Sequence, residues 1–165
     1  MSATPAGIKS MTPWVALAVI VFAIDFLTKS IVLQNFYYGE RLPITSFFNL
    51  VLVYNYGAAF SFLATSGGWQ VALFSAIAII AVCVCSYLLY KHAHEKLFSL
   101  SVALIMGGAI GNLFDRIIYG YVIDFLDFHY LHWHWPAFNV ADMAIVVGAG
   151  LMILESFMKP SSRSS

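Results

Sequence analysis

Four long stretches of the chain are apolar almost without interruption, and the polar residues collect between them. A helix needs roughly 20 mostly apolar residues to cross the core of a bilayer. The pattern predicts spans over 14–33, 69–90, 97–118 and 141–158. Only Lys91-His92-Ala93-His94-Glu95-Lys96 separates the second span from the third, so those two form an antiparallel hairpin. The other connections, about 34–68 and 119–140, are longer.

In the first long connection the period changes. Phe48, Leu50, Leu52 and Tyr54 alternate with Asn49, Val51, Val53 and Asn55, which suits a strand with one apolar face. Gly39-Glu40-Arg41-Leu42-Pro43 reads as a turn before it. A small β element over about 36–66, lying on the outer membrane surface, is expected. The second connection reads as an aromatic loop with Trp133 and Trp135 as interfacial anchors, while Trp14 and Trp69 open their spans. The tail over 160–165 is expected to be disordered. The fold class is therefore an all-α membrane protein: a bundle of four transmembrane helices with a small extracytoplasmic β element, in a single domain over 1–165.

Composition agrees with lipid as the solvent. The chain is 61% hydrophobic and 10% charged, against roughly 25% charged in soluble domains, so it cannot coat a water-facing surface. Its formal net charge of zero gives no reason to expect a nucleic-acid partner. Lys9, Lys91, Lys96, Lys159 and Arg163 collect on one side, opposed by Arg41, Arg116 and Lys29 at its boundary. By the positive-inside rule both termini and the short middle loop are cytoplasmic. The first span is too long for a cleaved signal segment and holds Asp25 and Lys29, so it is expected to remain. Cys83 and Cys85, two apart in an apolar run, point to different sides of a helix and read as packing residues.

Ionisable groups inside a span cost about 2.5–3.5 kcal/mol each at the helix centre. Asp25 and Lys29 lie one turn apart and read either as a mutually neutralising pair or as support for a site on a neighbouring helix. Gly108, Asn112 and Asp115 fall on one stripe of the third span, beside the small residues Gly107 and Gly111 that admit a close helix contact. Asp115 and Arg116 alternatively form a local charge pair. Asp124 follows the third span and Asp142 opens the fourth, so both carboxylates belong to the same membrane face. Each has a plainer reading. Asn139 caps the fourth helix with Asp142 in its first turn, and Asp124 is a solvated loop acid of the kind expected for Asp127.

Taken together, the polar segments resemble the lipoprotein signal peptidase family over nearly the whole chain. The matching segments are Asp25 to Lys29, Asn55 to Ser61, Gly107 to Arg116, Gly120 to Phe125 and Phe138 to Asp142, in the family's order relative to the spans. The resemblance implies an aspartic endopeptidase of the bacterial inner membrane, active near the periplasmic face. Such enzymes cut diacylglyceryl-modified prolipoproteins just before the lipidated cysteine. It implies Asp124 and Asp142 as the catalytic pair, with Asn55, Gly108, Asn112, Arg116, Asn139 and Ala141 lining the substrate site. Diacylglyceryl-prolipoproteins and membrane lipid are the implied partners; no obligate protein partner, cofactor or metal is expected.

The chemistry needs a pair. Two nearby carboxylates share one proton, so the ionised one activates water while the protonated one polarises the scissile carbonyl. His129, His132 and His134 suggest zinc, but their interleaving with Tyr130, Trp133 and Trp135 favours an interfacial loop. No G-x-S-x-G motif marks a serine nucleophile. A proton-conducting transporter using Asp25, Lys29, Asp115 and Asp142 would want ionisable groups at mid-membrane, whereas most gather at one boundary here. A scaffold that binds lipidated peptides uncut would need neither Asp124 nor Asp142.

Overall fold

The computed structural model describes residues 8–57 and 69–158. Helices α1 (Ile8–Asn35), α2 (Trp69–His92), α3 (Lys96–Tyr119) and α4 (Val140–Met158) are each long and apolar enough to cross a membrane. Their outward faces are apolar and uncovered: Val19, Ile20 and Ile31 on α1, Ile80 on α2, Val146 and Ile153 on α4. Such faces suit lipid rather than water. The expected tail over 160–165, the basic residues Lys159 and Arg163, and residues 58–66 of the expected β element lie outside the described residues.

Helix α3 is the hub. Its apolar window is 56% buried, against 6% for α2, because α1, α2 and α4 all pack on it. Small residues make this possible. A Cβ on Gly107 would stand 2.7 Å from the carbonyl oxygen of Ala18 on α1, and one on Gly148 2.7 Å from that of Ser101 on α3. A Cβ on Gly108 would collide with the carbonyl of Ala141. Cys85 joins Ala18, Leu89, Val102 and Met106 in the apolar core, while Cys83 faces outward, so only one of the two cysteines packs inside. The Trp14 indole N–H donates to the carbonyl of Ala93 at 2.9 Å, tying the start of α1 to the α2–α3 turn at one end of the bundle.

Strands β1 (Arg41–Pro43), β2 (Phe48–Asn55), β3 (Val122–Tyr130) and β4 (Trp133–His134) form one antiparallel sheet in that order. Three expectations are corrected here. Arg41–Pro43, read as part of a turn, is strand β1 paired with β2. The 119–140 connection, read as a loop, supplies β3 and β4, and β3 is the partner of β2. The apolar face expected on β2 does not persist: Asn49, Val51 and Leu52 are buried while Phe48 and Leu50 are half-buried. A register shift between Leu50 and Val53 turns the strand over, as a bulge does.

Asp127, expected to be a solvated loop acid, is buried between strands. Its carboxylate accepts from the Asn49 amide at 2.8 Å, lies 3.3 Å from Arg41 Nε and meets His134 Nδ1 at 2.8 Å. These contacts hold its carboxyl below the usual range, although burial alone would raise it. One side chain thus joins β1, β2, β3 and β4.

Candidate active site

The site forms where α3 ends and α4 begins. Gly120 closes α3 in the left-handed conformation at φ 80°, its N–H bonded to the Arg116 carbonyl, and turns the chain into β3. Four residues later comes Asp124, the third residue of β3, paired across from Val53 and 2% exposed. The return through Phe138, bridged to Leu126, delivers Asn139 and Asp142 at the start of α4.

Asn139 and Asp142 cap one another: the Asp142 N–H donates to Asn139 Oδ1 at 2.9 Å and the Asn139 N–H to Asp142 Oδ2 at 3.3 Å. This reciprocal arrangement satisfies donors that a helix start leaves open. The capping role foreseen for these residues is real, and it is combined with a second one. Asn139 Nδ2 donates to Asp124 Oδ1 at 2.7 Å, so one residue grips both carboxylates. Asn55 Nδ2, at the end of β2, donates to the other Asp124 oxygen at 2.8 Å. Asn112 Nδ2, on α3, donates to Asp142 Oδ1 at 2.7 Å.

A charged layer lies beneath. Lys29 Nζ stands 2.7 Å from Asp25, 2.8 Å from Asp115 and 3.1 Å from Asn112 Oδ1, with the lysine only 2% exposed. Asp25 and Lys29 thus form the ion pair, and Lys29 also touches Asn112 on the neighbouring helix. Asp115 pairs with Lys29 and accepts from the Ile123 N–H at 3.1 Å, so the alternative Asp115–Arg116 pair is not what the structure contains. Asp25 accepts from the Ala141 N–H at 2.8 Å, filling another open donor of α4. Arg116 donates to the Asn112 carbonyl at 3.2 Å, lies over the Phe74 ring at 5.4 Å and feels the charges of Asp142, Asp124 and Asp115.

The two acids sit in different surroundings. Burial first, and the neighbouring Asp142 charge second, push the Asp124 carboxyl up to about 7. The amides of Asn55 and Asn139 limit that rise. Asp142 is less deeply buried and sits in the first turn of α4, where the helix dipole suits a negative charge.

All the residues singled out from sequence meet here: Asp124, Asp142, Asn55, Gly108, Asn112, Arg116, Asn139, Ala141, Asp25, Lys29 and Asp115. Two others adjoin them unannounced. Ile123 contributes its backbone N–H and carbonyl, and Phe74 its ring; a backbone contact leaves no mark in side-chain pattern. At the far end of the sheet, His129 stacks on His134 at 5.0 Å, and His134 is engaged by Asp127. Among the described residues no three His, Cys, Asp or Glu side chains converge as a metal would require.

Comparison with known proteins points the same way. The family model described as signal peptidase (SPase) II matches residues 17–158. The chain is similar to the lipoprotein signal peptidase of Burkholderia mallei (strain SAVP1), 57% identical over 150 residues covering 91% of this chain and 90% of the relative. It is 54% identical over 156 residues to that of Paraburkholderia phytofirmans, covering 94% and 91% respectively. Among solved structures it resembles a bacterial membrane enzyme determined by the in meso method at 1.9 Å, with a TM-score of 0.80 at 28% identity, covering 97% of this chain and 99% of that one. A second such structure, at 2.3 Å, gives a TM-score of 0.81, also at 28% identity, covering 93% of each chain. With an apolar four-helix bundle, a paired-aspartate centre and these likenesses, the chain belongs to the signal peptidase II family and is a multi-pass membrane endopeptidase of the aspartic type.

Proposed function

We propose that Asp124 and Asp142 are the catalytic pair that removes the signal peptide from diacylglyceryl-modified bacterial prolipoproteins, cutting just before the lipidated cysteine. The observation that carries this reading is the grip of Asn139 on both carboxylates at once. In the resting centre Asp124, the buried member with the raised carboxyl, holds the shared proton. Asp142 faces N–H donors at the positive end of α4 and suits the ionised partner.

Asp142 takes a proton from water as its oxygen attacks the scissile carbonyl, and Asp124 gives its proton to the carbonyl oxygen. Collapse of the tetrahedral diol breaks the C–N bond. The leaving nitrogen takes up a proton from the dyad and becomes the new amino terminus on the lipidated cysteine. No covalent intermediate forms. Asn55, Asn112, Arg116 and Asn139 position the dyad and the substrate backbone, whose polar groups are costly to leave unpaired beside lipid. Gly108 and Ala141 set the close approach of α3 and α4, and Asp25, Lys29 and Asp115 support it from below.

In this reading the chain is a single domain over 1–165 in the bacterial inner membrane. Its termini and the 91–96 loop are cytoplasmic, and the sheet and dyad lie near the periplasmic face. Prolipoprotein then reaches the site laterally through lipid, while water comes from the periplasmic side.

The test is cleavage by purified protein in detergent of a diacylglyceryl-modified prolipoprotein, alongside Asp124→Asn and Asp142→Asn. Wild type is expected to cut and both variants to lose almost all turnover while remaining folded. Normal turnover in either variant would remove that residue from the pair. Cysteine labelling at a site added within 91–96 should report the cytoplasm; labelling from outside would invert the topology.

A further inference from the structure

A lysine ammonium carries three N–H donors and no acceptor. Three oxygens lie within 3.1 Å of Lys29 Nζ, and they differ in kind. Asp25 and Asp115 are carboxylates and offset the buried charge. The third, Asn112 Oδ1, is a neutral amide oxygen whose own amide nitrogen holds Asp142.

This third contact determines which way the Asn112 amide faces. Its oxygen accepts from Lys29 at 3.1 Å and from Asn139 Nδ2 at 3.2 Å, two groups that can only donate at those atoms. Its nitrogen is thereby directed to Asp142 Oδ1 at 2.7 Å. Turning the amide over would set NH2 against the ammonium and an oxygen against the Asp142 carboxylate. Both contacts would be repulsive in a site with little water to screen them.

We infer that Lys29 is a positioning residue for the reaction: acting through Asn112, it fixes the donor that orients Asp142 for taking a proton from water. The inference rests on the reading of Asp142 as a member of the dyad. Lys29 makes no hydrogen bond to either catalytic carboxylate; its charge reaches Asp124 through space, while its hold on the orientation of Asp142 passes through the amide.

Lys29→Met alone would strand two buried carboxylates, and Lys29→Met/Asp25→Asn avoids this by leaving the net charge of the cluster unchanged. Asn at position 25 still offers an oxygen to the Ala141 N–H. With diacylglyceryl-prolipoprotein as substrate, this variant should lose about 10- to 100-fold in kcat with KM changed less than about threefold. Introduced into Asn112→Ala, the same pair should cause no further loss, because the route through the amide is already cut. Lys29→Gln/Asp25→Asn, which restores an N–H donor, should recover most of the turnover. It also serves if the methionine variant fails to fold, since a role of charge alone predicts that glutamine, measured against wild type, shows the full loss of about 10- to 100-fold in kcat. Wild-type kcat in the methionine variant, additive losses with Asn112→Ala, or no recovery with glutamine would each overturn the inference. Failure of wild type to cut the substrate, or full activity of Asp142→Asn, would instead remove the dyad reading beneath it.

Discussion

Asn139 Nδ2 lies 2.7 Å from Asp124 Oδ1, joining the residue just before α4 to the first half of β3. Asn139 is fully buried and has no spare polar atom on its side chain: its oxygen caps α4 and its nitrogen serves Asp124, Asn112 and Ile123. Asn139→Ala should therefore lower cleavage at least about 100-fold and cost about 1–3 kcal/mol of stability. Cleavage rates and thermal unfolding in detergent check both. Loss of stability with normal turnover would limit Asn139 to capping.

The α3–α4 contact leaves no room at Gly108. Gly108→Ala puts a methyl group against the Ala141 carbonyl and Ile145, so α4 must shift and carry Asp142 with it. A cost of about 1–3 kcal/mol and a large fall in kcat are expected. Gly150→Ala is the matched control, since a Cβ there meets nothing within 4 Å. It should leave activity unchanged and stability equal or slightly higher. Equal behaviour of the two variants would refute the close-contact account.

The raised carboxyl of Asp124 predicts two pH effects. Turnover should fall as pH rises beyond about 7, where the shared proton is lost from the pair. Stability follows from linkage. Between the unfolded value of 3.8 and about 7, the folded chain keeps a proton that the unfolded chain has released. This group's contribution is thus fully present below 3.8 and is lost as pH rises to about 7. Asp124→Asn abolishes that titration, so its unfolding temperature relative to wild type should climb across this window and then level off. A flat difference would contradict the assignment.

Asp127 has the opposite sign. Its carboxyl is held below the ordinary value, so it stabilises the sheet at neutral pH, and the contribution is lost as pH falls through the lowered value. Asp127→Ala should loosen β1 and β4 from the β2–β3 pair, raising amide exchange around Arg41 and His134. Cleavage should fall much less than in the dyad variants. Unchanged exchange would show that Asp127 does not hold the strands together.

The helices were legible because lipid imposes a long, simple demand on sequence. The site was legible because polar residues are sparse in such a background, and Asn112, Asp124, Asn139 and Asp142 stand out. Strand β3 was not. In Val122–Tyr130 each face mixes apolar residues with an acid: Asp124 beside Val122 and Leu126, Asp127 beside Phe125 and Ile123. A strand with both faces buried does not alternate. Nor did anything in the local pattern distinguish Asp127 from a surface acid, because its partners Arg41, Asn49 and His134 come from three other strands. The turnover of face in β2 likewise depends on pairing across the sheet, which one strand's periodicity cannot express.

The bond from the Ala141 N–H to Asp25 spans 116 positions, linking the first helix to the last. Biosynthesis runs in the direction that makes this matter. While α4 is still being synthesised, Lys29 can already meet its partners on α1 and α3, but Asp25 lacks the donor that α4 will bring. The bond network around the dyad cannot close until the last span arrives. With Asp124 and Asp142 as the proposed pair, a nascent chain released before Asn139 should be inert toward its neighbours in the membrane, with proteolytic competence expected only once α4 is in place.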